Sequence, residues 1–142
     1  MLKSSNRGSG IVQVYELTGN SVVLKSEMEK PVAFKCCTMG ASSLSAKRVA
    51  TGDFKGRLCI WDLENMKNPV YSVKAHDDII NCMDGVGGIG VENGQPEIVT
   101  GSRDGFVKVW DVRVSDQPVL SISPAEGERK RDTWAVAFGK YD

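Results

Sequence analysis

Apolar residues fall in short runs separated by Gly-, Pro- and Asp-containing turns, and no window of about a dozen residues holds a helical period. Arg48-Val49-Ala50-Thr51 and Glu97-Ile98-Val99-Thr100 are β-type runs that each end at a glycine. Leu58-Cys59-Ile60-Trp61 and Phe106-Val107-Lys108-Val109-Trp110 are β-branched and aromatic, which suits strands. Lys55-Gly56 and Asp104-Gly105 precede them as hairpin signals, because glycine takes a positive φ there without steric cost. Pro69 and Pro118 mark turns into Val70-Tyr71-Ser72-Val73 and Val119-Leu120-Ser121-Ile122. Ile79-Ile80-Asn81-Cys82-Met83 and Trp134-Ala135-Val136-Ala137-Phe138 predict strands that open a next unit. The pattern predicts an all-β chain.

These elements repeat. Thr51-Gly52 to Trp61-Asp62 aligns with Thr100-Gly101 to Trp110-Asp111 at an offset of 49 residues. Pro69-Val70-Tyr71-Ser72-Val73 and Pro118-Val119-Leu120-Ser121-Ile122 keep that offset. A weaker copy, Gly10-Ile11-Val12-Gln13-Val14-Tyr15, lies 46 residues before Gly56…Trp61, with Tyr15 in place of the tryptophan. About four strands per 46–49 residues indicate a stack of small sheets.

Composition narrows the function classes. Eighteen Lys+Arg balance eighteen Asp+Glu among 142 residues, so the electrostatic footprint of a general nucleic-acid binder is missing. No apolar run reaches the ~18 residues of a membrane span, and Met1–Gly8 has no apolar signal core. A cytosolic chain is expected. Cys36, Cys37, Cys59 and Cys82 form no CxxC pair, and the single His76 completes no Cys/His zinc spacing. All four are read as small buried thiols, and no metal or cofactor is expected.

The Trp61-Asp62 and Trp110-Asp111 pairs, each preceded by a glycine hairpin and a Thr-Gly, resemble WD repeats, the blades of β-propellers. The resemblance implies a structural tetrad of His76, Thr100, Asp104 and Trp110: a buried indole N–H needs an acceptor, and a hydroxyl and an imidazole can relay hydrogen bonds to a carboxylate. In the preceding blade Thr51 and Trp61 remain, but Lys55 replaces the aspartate and no histidine precedes it, so a shorter network is expected. Longer strings resemble the WD-repeat dynein axonemal assembly factors: Thr51-Gly52-Asp53-Phe54, Asp84-Gly85-Val86-Gly87-Gly88, Pro96 to Gly105, and Lys130-Arg131-Asp132…Trp134…Phe138-Gly139.

The repeat divides the chain into the end of blade 1 (1–30), blade 2 (31–75), blade 3 (76–123) and the start of blade 4 (124–142). That is a partial propeller, about three blades of a ring that the resemblance puts at about seven. A truncated product is the expectation, and open blade faces predict marginal stability or self-association.

Catalytic chemistry finds little footing. Gly85-Val86-Gly87-Gly88-Ile89-Gly90 spells G-x-G-x-x-G. It is followed by a turn into a strand rather than by the helix that would meet a pyrophosphate, so it reads as a connection between strands. His76 with Asp77 and Asp78 occupies the tetrad position, and no nucleophile elbow, HExxH or P-loop is present. No catalytic residue is assigned.

In a propeller, the loops between blades and the turns between second and third strands share one face. That face would gather His76, Asp77, Asp78, Phe54, Lys55, Arg103, Arg131, Asp132 and Trp134. Lys55, Arg103, Arg131, Asp132 and Trp134 are the candidate protein-binding residues, since Arg and Trp are enriched at interface hot spots. The resemblance implies a cytoplasmic, non-enzymatic adaptor for axonemal dynein assembly. Its implied partners are a RuvB-like co-chaperone complex, prefoldin-like subunits and dynein heavy chains. An alternative is a propeller that reads a modified histone or other peptide, for which Phe54 and Trp134 are the available cage aromatics. Another is a truncated product with no activity of its own.

Overall fold

The computed structural model describes residues 8–41, 46–87, 96–113 and 116–139. Among them every regular element is a strand. β1 (Gly10–Thr18) and β2 (Ser21–Lys30) form a hairpin turning at Gly19, whose φ is +59°. β3 (Phe34–Thr38), β4 (Arg48–Asp53), β5 (Arg57–Asp62) and β6 (Tyr71–Lys74) form an antiparallel four-stranded sheet in chain order. β7 (Ile80–Val86), β8 (Glu97–Ser102), β9 (Val107–Asp111) and β10 (Leu120–Ile122) form a second sheet of the same order. The two are WD-type blades. Gly56 and Gly105 turn β4 into β5 and β8 into β9 with φ of +72° and +85°, values that L side chains rarely adopt.

The first sheet has a core on each face, so the cores lie between neighbouring sheets rather than within them. Leu58, Ile60 and Ala50 of the first sheet meet Ile80, Ile98 and Trp110 of the second. On its other face the first sheet sets Trp61, Val49 and Cys59 against Met28, Val12 and Val14 of the β1–β2 hairpin.

A repeated joint holds neighbouring blades together. Gly52 of β4 lies so close to the next blade that an added Cβ would stand 2.8 Å from Ile80 and from the Cys36 sulfur. The Cys36 thiol in turn donates to the Ile80 carbonyl at 3.4 Å. Gly101, 49 residues on, stands in the same relation to Thr133 and Cys82, and the Cys82 thiol points at the Thr133 carbonyl at 3.7 Å. The Thr-Gly of the repeat thus has two functions: the threonine bonds within its blade, and the missing side chain admits the next one.

This joint explains where the thiols sit. Cys59 is buried, Cys36 and Cys82 are partly buried, and Cys37 is exposed, so the expectation of four buried thiols fails at Cys37. The reason is strand alternation: Cys36 turns into the joint, and its neighbour must face the other way. Burial pushes the Cys36 thiol up to about 12, which keeps it protonated as a donor.

Residues 131–139 form no strand, contrary to the expectation for Trp134–Phe138. Thr133 takes the place beside Gly101 that Ile80 takes beside Gly52, and its N–H donates to the Ser102 carbonyl at 3.0 Å. The Phe138 N–H donates to the Asp84 carboxylate at 2.9 Å. The segment therefore follows an inner-strand path, but no second strand lies beside it to supply a ladder. No helix among the described residues is long and apolar enough to cross a membrane.

The joint predicts that Gly52→Val forces β4 away from Ile80. Urea denaturation is expected to show a loss of about 1–3 kcal/mol, the cost of overpacking a filled site. An unchanged midpoint would show that the joint has slack.

Candidate functional site

A buried relay runs through the second blade. The Trp110 indole N–H donates to Thr100 Oγ1 at 3.0 Å, and Thr100 Oγ1 lies 2.8 Å from His76 Nε2. His76 Nδ1 lies 3.0 and 3.1 Å from the two Asp104 carboxylate oxygens. Hydrogen-bond logic fixes the direction. Asp104 accepts, so Nδ1 carries the proton, and Nε2 is then free to accept from the threonine hydroxyl. Trp110 and His76 are each 2% exposed and Thr100 is fully buried. The four residues come from β9, β8, the loop after β6 and the β8–β9 turn, so one chain of bonds ties an outer strand to an inner loop.

Titration follows from this burial. Desolvation lowers the His76 pKa, and the adjacent Asp104 opposes that only in part. Burial alone would raise the Asp104 carboxyl, but the backbone N–H groups of Phe106 and Asp77, together with His76, hold it below its usual value. Both folded-state values lie below the unfolded ones. The unfolded chain therefore binds more protons as pH falls, first through the histidine range and then through the carboxylate range, and stability falls with it.

The preceding blade has only part of this arrangement. The Trp61 indole donates to Thr51 Oγ1 at 2.8 Å, as at Trp110. Asp53, at the repeat position of Ser102, accepts from the N–H groups of Lys55 and Arg57 at 2.8 and 2.9 Å. Its carboxylate closes its own turn and does not extend the Thr51–Trp61 bond towards an inner loop. An aspartate two residues before the hairpin Gly-containing pair was the sequence signal for this substitute.

Lys55 and Arg103 lie on hairpin turns as expected, whereas Trp134 lies on a segment that forms no strand. Lys55 and Phe54 sit on the β4–β5 turn, and Phe54 is 45% exposed. Gly56 of that turn backs onto the carbonyls of His76 and Asp78. The Arg103 N–H donates to the Ile79 carbonyl at 3.0 Å, and its side chain reaches Asp78 at 3.8 Å. Gly105 in turn lies against the Arg131 backbone. The β4–β5 turn, the 75–79 loop, the β8–β9 turn and the 130–133 segment are thus joined edge to edge. Arg131 and Asp132 are exposed, and Trp134 is 68% exposed, so its side chain is outside the core. Phe54 and Trp134 belong to separate elements of this face, and nothing in the geometry forms a cage from them.

Sequence reasoning missed Phe106, which packs beneath two cations: the ammonium groups of Lys108 and Lys130 each lie 5.6 Å from its ring. The Phe106–Lys108 spacing of two is a strand signal for a shared face; Lys130 carries no local signal. No cluster of three potential metal ligands occurs among the described residues. Of the G-x-G-x-x-G string, Gly85 and Val86 end β7, Gly87 follows with a φ of +79°, and residues 88–90 lie outside the described residues.

Comparison with known proteins agrees with this architecture. The family model for the WD domain, G-beta repeat, matches residues 67–111. The chain is 60% identical over 133 residues to dynein axonemal assembly factor 10 of Xenopus tropicalis, covering 94% of this chain and 37% of that protein. It is 56% identical over 133 residues to the human protein of that name, with the same coverage. It is 50% identical over 138 residues to that of Chlamydomonas reinhardtii, covering 97% of this chain and 38% of that one. The chain therefore spans well under half the length of these relatives. Among solved structures, Saccharomyces cerevisiae Sqt1 superposes with a TM-score of 0.60 at 18% identity, over 80% of this chain and 30% of that one. A chain of the mitotic checkpoint complex gives 0.58 at 18% identity, over 80% and 32%.

The relay predicts unequal costs for two tryptophans that are otherwise alike. Trp110→Ala is expected to destabilise by about 3–5 kcal/mol, and by about 1 kcal/mol more than Trp61→Ala, because Trp110 is one member of a four-residue relay whereas Trp61 bonds Thr51 alone. Equal losses in chemical denaturation would contradict the relay.

Proposed function

We propose that this chain, which carries a WD40 repeat and is similar over nearly its whole length to dynein axonemal assembly factor 10, is a non-enzymatic scaffold in the cytoplasmic assembly and stability of axonemal dynein. The buried side chains of His76, Thr100, Asp104 and Trp110 are engaged in bonds within their own sheet and its turns, and the polar groups the chain presents are rim loops suited to contact with protein. The partners of this reading are dynein heavy chains, with a RuvB-like co-chaperone complex and prefoldin-like subunits as the assembly machinery.

The observation that carries the reading to residues is the exposed Trp134 beside Arg131 and Asp132, on a segment fixed to the β8 end by the Thr133–Ser102 bond. Arginine pairs orient a partner and steer its approach, while an exposed indole supplies area to desolvate. Arg103 and Lys55 extend the surface along neighbouring turns.

The test is capture of dynein heavy chains and co-chaperone subunits from a ciliated-cell lysate by the immobilised chain. Arg103→Glu combined with Arg131→Glu is expected to weaken capture by about 1–3 kcal/mol, the scale of an interface hot spot, without lowering the melting temperature. Undiminished capture by this variant would place the interface on another surface.

A further inference from the structure

The outer edges of the two blades enclose a groove of about 370 Å³, lined by Arg57, Lys74 and Lys108 with Asp116 as its single acid. Val73 and Pro118 supply apolar wall. Arg57 and Lys74 are directly opposite one another in the β5–β6 register, a placement in which like charges repel. Each cation is held by a neutral acceptor. Arg57 donates to the Ser72 hydroxyl at 3.2 Å, Lys74 to the Lys55 carbonyl, and Lys108 to the Ala75 carbonyl at 2.7 Å. None of the ion pairs among the described residues involves these three side chains. Their heads are fixed in direction by these acceptors, and no ion pair among the described residues neutralises them.

The fold does not require this charge. The corresponding position to Lys108 in the preceding blade, 49 residues earlier, is Cys59, whose thiol bonds Ser72 at 3.4 Å. The corresponding groove between β2 and the first sheet has the opposite balance, with Glu27, Glu29 and Glu64 against Lys30 and Lys67. Two grooves built by the same repeat therefore differ in sign. β6, which forms one wall of the cationic groove, is the last strand of its sheet, so its outer backbone edge has no strand partner.

We infer that this groove is a docking site for an extended, carboxylate-rich segment of a partner protein. A strand laid along β6 gains backbone hydrogen bonds at the open edge, and its side chains at alternate positions face the same way. Carboxylates at those positions meet Arg57, Lys74 and Lys108, so charge selects the segment and the edge holds it. The site is separate from Arg103 and Arg131 and stands or falls independently of the rim.

The test is fluorescence anisotropy with the full chain and a rhodamine-labelled ten-residue peptide of alternating Glu and Thr. Saturable binding is expected, at least about tenfold weaker when every Glu is replaced by Gln, and weakened again as salt rises. Arg57→Glu with Lys74→Glu is expected to reduce affinity about tenfold or more, whereas Lys67→Glu at the acidic groove leaves it within about twofold. If the glutamate pair lowers the melting transition, Arg57→Gln with Lys74→Gln reads the same loss in a folded chain. The inference is overturned by absence of saturable binding, by equal binding of the Gln peptide, by equal loss from Lys67→Glu, or by affinity that survives the Arg57 and Lys74 changes.

Discussion

The hydrogen-bond relay from Trp110 through Thr100 and His76 to Asp104 is the constraint on which the second blade depends. An indole N–H, a hydroxyl and an imidazole are all withdrawn from water, and each would cost about 1–3 kcal/mol if left unpaired. They are satisfied only when β8, β9, the 75–79 loop and the β8–β9 turn take up one arrangement. Trp110 also belongs to the apolar core between the blades, so the same side chain fixes both the inside of its blade and the contact with its neighbour. The first blade retains the Trp61–Thr51 bond but closes its turn through Asp53.

Function follows from what these constraints leave over. The joint of Gly52 with Ile80 and of Gly101 with Thr133 brings the inter-blade loops and hairpin turns into contact along one rim. In the proposed function, the fixed backbone of the turns that carry Lys55 and Arg103 limits the backbone ordering that binding would cost. The outer groove with its three cations is produced by the same stacking seen from the other side. Rim and groove are therefore two surfaces of the same stack of sheets.

Much of this was legible in the sequence because the repeat is strictly spaced. The 49-residue offset placed β4–β6 and β8–β10 in equivalent positions, and the positive-φ glycines at 56 and 105 announced their turns. The proximity of His76, Thr100, Asp104 and Trp110 followed from the WD resemblance rather than from any local pattern. What escaped was non-local. Trp134–Phe138 has strand composition, but a ladder needs a partner that composition does not supply. Cys37 reads like its neighbour until alternation beside a specific joint exposes it. The meeting of Lys108 and Lys130 over Phe106 depends on which segment folds back on which.

The four relay residues act as one unit, and a double-mutant cycle measures that cooperation. Thr100→Val and Asp104→Asn alter the partners at the two ends of the His76 ring and meet only through it. Stabilities of both single variants and the double variant, from urea denaturation, give their coupling. The relay predicts a coupling energy of about 0.5–3 kcal/mol, the range for residues in one hydrogen-bond network. Losses that add to within about 0.3 kcal/mol would show that the two ends act independently and would contradict it.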